Sequence, residues 1–184
     1  MRHTPVMAVE RADDRMGCAD CERVRDGAIA QPVNTVTSAA FLVAAGALAV
    51  RARHAPTHRA EALAYSALLG LVGAGSIAFH GPQPRGSQQL HDWPIVALLS
   101  LGVATPAVRA LRGRPALPGL DRRRGVRFTA TALAAAAAWA GGRTGSPLCR
   151  PDSPLQLHGC WHVLAALGFA QASRILYGTS AGSA

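Results

Sequence analysis

The chain has 184 residues, of which 49% are hydrophobic and 16% charged, with a net charge of +9. A soluble domain of this size carries about 25% charged residues, so the composition argues for a membrane protein. All 19 basic residues are arginine and aromatics are only 5%. The arginines cluster between apolar runs, which fits membrane topology and argues against a nucleic-acid groove.

Residues 1–30 form a polar arm of mixed charge containing Cys18-Ala-Asp20-Cys21-Glu22, with no apolar stretch of the kind a cleavable signal peptide needs. The first apolar run spans Val33 to Val50, entered through Pro32 and Asn34. The second covers Ala60 to Phe79, the third Trp93 to Val108, the fourth Phe128 to Gly141 and the fifth Leu155 to Leu176. A bilayer takes roughly 20 apolar residues per crossing. The expected fold is therefore an all-α membrane bundle of about five transmembrane helices, occupying residues 31–178 and followed by a short tail, 179–184. The fourth run is the shortest and richest in alanine.

Arginine fixes the expected orientation. The loops after the first and third runs are dense in it, those after the second and fourth are not. The positive-inside rule then places the N-terminus outside and the C-terminus in the cytoplasm of a multi-pass protein of the cell membrane. Ser76, His80, Asp92, His158 and His162 all fall at the outer ends of their segments. Polar groups at such a depth are costly and are retained mainly for function.

His158 and His162 are four apart and share one helix face, so both can bind one metal ion. His80 ends its helix at the same level and is the natural third ligand, with His91 a competitor for that place. Zinc at a catalytic site takes three protein ligands and leaves a position for water. Asp92 reads either as a helix cap or as the group that accepts a proton from that water. Ser76, one turn before His80, reads either as a small packing residue or as an oxyanion donor. Gly73 and Gly75 read as close-packing positions, Cys160 as core and Arg174 as an interfacial anchor. Cys18 and Cys21 form a lone C-x-x-C, a weak signal. Because Cys21 and Cys149 share the outer side, a Cys21–Cys149 disulfide is expected in an oxidising compartment.

The set Cys21-Glu22, Gln31-Pro-Val-Asn34-Thr35, Gly75-Ser76-x-x-x-His80, Asp92-x-Pro94 and His158-x-x-Trp161-His162 resembles the alkaline ceramidase family. That family belongs to the CREST group of membrane hydrolases, which also includes the adiponectin-type receptors. The likeness covers the N-terminal half and the last thirty or so residues. It implies a zinc ion on His80, His158 and His162, a site completed by Asp92 and Ser76, and cleavage of a ceramide-like lipid amide. The expected orientation is also that of the ceramidase branch. Two departures stand out. Family members usually have seven transmembrane helices, and the segment between Asp92 and His158 is about two helices short. The wall of the lipid cavity must therefore differ, a second copy of the chain being one way to supply it. In addition, the calcium site of eukaryotic members would meet Ala19, Val24 and Gln31 here where ligands belong, so only Glu22 remains of it.

The expected activity is that of a zinc-dependent amidohydrolase working within the membrane on a lipid amide. Its other contacts would be membrane lipids, without nucleic acid. Two rival readings are a metal-binding membrane protein without turnover and a haem-binding electron carrier. The latter is disfavoured because His158 and His162 share a face and cannot clamp one haem from opposite sides.

Overall fold

Residues 15–54 and 57–178 are described in a computed structural model; the first part of the polar arm and the C-terminal tail lie outside the described residues. Five α-helices and no strand are found among them: α1 (Pro32–Arg53), α2 (Arg59–His80), α3 (Ser87–Leu111), α4 (Arg122–Gly141) and α5 (Leu157–Tyr177). Each apolar run of the sequence lies in one helix, except that the fifth starts two residues ahead of α5. Three of the five, α1, α2 and α3, are long and apolar enough to cross a membrane. α4 opens on Arg122, Arg123 and Arg124, and α5 carries His158, His162, Gln171 and Arg174, which lowers the apolar content of both.

Two helices begin earlier than their apolar runs. α3 starts at Ser87 after Gly86, which holds the left-handed backbone (φ 85°) that glycine adopts at no steric cost. Hydropathy does not register the polar first turn, so Asp92 lies inside the helix and is not its cap. α4 starts at Arg122, where the Asp121 carboxylate accepts from the Arg124 N–H and satisfies one of the free amides of the first turn.

Consecutive helices alternate in direction. The N-terminal arm, the α2–α3 turn and the α4–α5 loop meet at one end, and the arginine-rich α1–α2 and α3–α4 loops meet at the other. α1 packs on α2 and on α5, α2 on α3, and α4 on α5. α3 and α4 do not pack on each other. The buried core joins Phe41 and Leu48 of α1, Tyr65, Leu69 and Val72 of α2, Leu98 of α3, and Ala166 and Leu176 of α5. Gly75 lets α2 and α3 touch: a Cβ there would collide with the Leu90 carbonyl and the His91 Cα. Outside this core the helices present bare apolar side chains, among them Val36 and Val43 of α1, Val103 of α3 and Leu133 of α4. Water-facing surfaces rarely expose such patches, whereas a lipid environment covers them without cost.

Candidate metal centre

The arm ahead of α1 is bound down over one end of the bundle. Cys21 and Cys149 form a disulfide, with Cα atoms 5.4 Å apart, tying the arm to the α4–α5 loop. Cys18 and Cys160 are free thiols, so the C-x-x-C spacing does not mark a pair. The Cys21 N–H donates to the Gly142 carbonyl (2.8 Å) and the Thr144 N–H to the Ala19 carbonyl (3.0 Å), a short antiparallel bridge. The Glu22 carboxylate accepts from the Val33 and Asn34 amides, 2.8 Å each. It thereby caps α1, and that use accounts for the one residue the calcium comparison retains.

Beneath the arm, one ligand-capable atom each of His80, His158 and His162 lies within 4.8 Å of the others, and all three side chains are buried. His80 closes α2; His158 and His162 lie one turn apart on α5. Ring centroids are 5.2 Å apart for His80 and His158, 5.0 Å for His80 and His162, and 4.7 Å for His158 and His162. Rings this close leave no room for a macrocycle between them.

The hydrogen bonds around the rings decide which nitrogens stay free. The Gln31 amide nitrogen donates to the carbonyls of Gly17 (3.0 Å) and Glu22 (2.7 Å), so its oxygen is the remaining atom and accepts from His80 Nδ1–H at 2.6 Å. The Thr37 hydroxyl donates to the Val33 carbonyl at 2.8 Å, so it accepts from His162 Nδ1–H at 3.0 Å. In both rings the proton sits on Nδ1 and the lone pair on Nε2. His80 Nε2 and both nitrogens of His158 are buried without a hydrogen-bond partner, and the Nε2 of His162 has only Ser76 Oγ at 3.5 Å. A buried polar atom left unsatisfied costs about 1–3 kcal/mol. Three in one place, all imidazole, fit a bound cation, for which neutral imidazole suits several transition metals.

Asp20 stands behind His158, its Oδ1 3.2 Å from Nδ1 but off the line of a hydrogen bond. Arg143 donates to the same carboxylate at 2.9 Å. Burial pushes the Asp20 carboxyl up to about 6, against the opposing pull of Arg143. A carboxylate behind a ligating histidine is the usual outer support of a metal site. Asp20, Gln31 and Thr37 were not foreseen as site residues, although Asp20 lies within the cysteine motif and Gln31 within the family-like pattern.

Ser76 is buried beside the cluster, with Oγ 2.9 Å from Ser38 Oγ. The Ser38 hydroxyl is committed to the Asn34 carbonyl at 2.6 Å, so Ser76 is the donor of that pair. Asp92 is half exposed and accepts from Gln88 (2.6 Å) and from His91 Nδ1–H (2.7 Å). His91 stacks on Phe79 at 4.6 Å and lies edge-on to His80 at 6.0 Å. The structure thus gathers His80, His158, His162 and Ser76, sets His91 beside them outside the group of three, and holds Asp92 behind His91.

A cleft of about 780 Å³ opens between α3 and α4 and reaches inward to Phe41 and Trp161. These two rings touch His162, at 5.8 and 5.2 Å between centroids. Its lining is almost entirely apolar, including Leu99 and Val103 of α3, Ala132 and Ala136 of α4, and Gly168 of α5.

No family model matches the chain, and no curated protein or solved structure is significantly similar to it.

Proposed function

We propose that the chain is a zinc-dependent hydrolase that cleaves the amide of a ceramide-like lipid within the membrane, as an alkaline ceramidase does. The observation that carries this is the buried trio of imidazoles at the head of an apolar cleft. We further propose that all five helices span the cell membrane, with the N-terminus and the histidines at the outer face. A zinc ion held by His80, His158 and His162 would supply an acidified water at neutral pH and a Lewis acid for the substrate carbonyl. The chain's own residues do the rest. Gln31 and Thr37 hold the rings of His80 and His162 with Nε2 free, and Asp20 stands behind His158. The hydroxyl of Ser76 turns from Ser38 to donate to the carbonyl oxygen as charge develops there, the usual duty of an oxyanion donor. His91, with Nδ1–H tied to Asp92, carries its lone pair on Nε2, which would collect a proton and return it to the leaving amine. Asp92 acts through His91. The acyl chain lies in the cleft, where apolar walls accept it without desolvating polar groups.

The test is elemental analysis of detergent-purified protein together with a lipid-amide hydrolysis screen. Wild type is expected to hold one zinc per chain and to release fatty acid, and His80→Ala and His162→Ala are expected to lose both. Zinc retained in both variants would refute the ligand set. A second reading, a metal-binding protein without turnover, draws on the exposure of Asp92; zinc present with no product from any lipid amide would favour it.

A further inference from the structure

A second cavity, of about 590 Å³, lies at the other end of the bundle. The 22 residues of α2 span ~33 Å at 1.5 Å per residue, close to the thickness of a bilayer core. The second cavity therefore belongs to the interface opposite the histidines, whereas the apolar cleft runs along the bundle from Trp161 to Leu117 and Leu176. The second is enclosed by the start of α2, the last turns of α3 and the loop that follows.

Its buried charge is already settled. Arg109, only 7% exposed, donates to the Glu61 carboxylate, to the Leu176 carbonyl and to His58 Nδ1 (3.2 Å), and lies over the Tyr177 ring at 5.5 Å. It ties α2, α3 and α5 together and neutralises the cavity's one carboxylate. What remains is cationic. Arg112 and Arg114 line the same space, and neither has a carboxylate partner among the described residues. Arginine can only donate, so His58 Nδ1 accepts from Arg109 and the neutral ring carries its proton on Nε2, a further donor. Thr57 adds a hydroxyl.

Two exposed arginines at the cavity's edge, with N–H and O–H donors and no free carboxylate, are a recognition set for a tetrahedral oxyanion; the guanidinium fork matches phosphate geometry. Apart from Thr105, the rest of the lining is apolar, with Leu101, Ala104 and Val108 along one face of α3. An anion entering here would have acyl chains running down α3.

We propose that this cavity binds the phosphate headgroup of an anionic phospholipid, at a site separate from the histidines. Basic recesses between membrane helices are suited to such headgroups. The experiment is a titration of the full chain, purified in neutral detergent, with short-chain phosphatidylglycerol, read as the bound fraction by native mass spectrometry. The double variant Arg112→Gln/Arg114→Gln should weaken binding about tenfold, the loss of charged hydrogen bonds. Arg122→Gln/Arg123→Gln removes the same charge from exposed positions outside the cavity and should change it less than about twofold. Thermal midpoints within a degree or two of wild type, the size expected when ΔΔG is small, certify both as folded. Equal losses in the two variants, or none in either, would overturn the site. Displacement of the lipid by inorganic phosphate at equal concentration would overturn the lipid as ligand.

Discussion

The histidine cluster and the apolar cleft beside it are built by opposite rules. At the histidine end a disulfide, a backbone bridge and side-chain bonds to His80 and His162 fix each element against another. In the cleft between α3 and α4 the walls face each other without packing and carry almost no polar atom. Chemistry that depends on tenths of an ångström needs rigid support. A flexible acyl chain needs only volume and an apolar surface.

That contrast can be broken from the rigid side first. Cys21→Ser removes a link across 128 residues, which a chain-entropy argument values at about 4–5 kcal/mol. The expected outcome is a large drop in thermal stability in detergent, accompanied by loss of metal, because Asp20 is the neighbouring residue. Reductant should reproduce it in wild type and have no further effect on the variant. Next comes Asp20→Asn, which keeps the shape and removes the charge behind His158; metal affinity should fall roughly 10–100-fold, measured by competition with a chelator. Gln31→Leu, which leaves the His80 Nδ1–H without an acceptor, should fall in the same range.

The cleft should respond differently. Nothing lies within 4 Å of where a Cβ on Gly102 would stand, so Gly102→Phe can be accommodated and would narrow the space between α3 and α4. It should raise KM for long-chain amides by about tenfold, the scale of one or two methylenes of lost contact, while metal content and the turnover of short-chain amides stay put. An equal effect on both chain lengths would mean that the cleft is not where the acyl chain lies. The smallest effect belongs to Asp152, which Arg23 grips through two 2.8 Å bonds on the exposed rim of the clamp. Those hydrogen bonds hold the Asp152 carboxyl below its ordinary 3.8. A depressed folded value means the contribution is complete above that pH and is lost as pH falls through the folded value. Asp152→Asn should therefore narrow its stability gap from wild type only in strongly acidic buffer, in a thermal-shift series.

Much of this architecture was legible in the chain. Five apolar runs became five helices, and the i, i+4 spacing of His158 and His162 with His80 at the same depth located the cluster. The cysteine pairing followed from both residues lying on one side. What spacing did not carry were the supports, since Thr37 meets His162 across 125 residues and Gln31 meets His80 across 49. No local period encodes such a pairing. The start of α3 escaped for another reason: Ser87 to Asp92 is helical but polar, and hydropathy sees only the part of a helix that is apolar.

The division of the three imidazoles between α2 and α5 has a consequence for biogenesis. While the ribosome is still making the middle of the chain, His80 is already made and has neither companion. A metal ion shared by the three would therefore have to wait until the last helix is made, and sealing by the Cys21–Cys149 bond waits on Cys149, made just before that helix. A truncation that stops before Leu157 would yield a membrane-inserted but permanently metal-free protein.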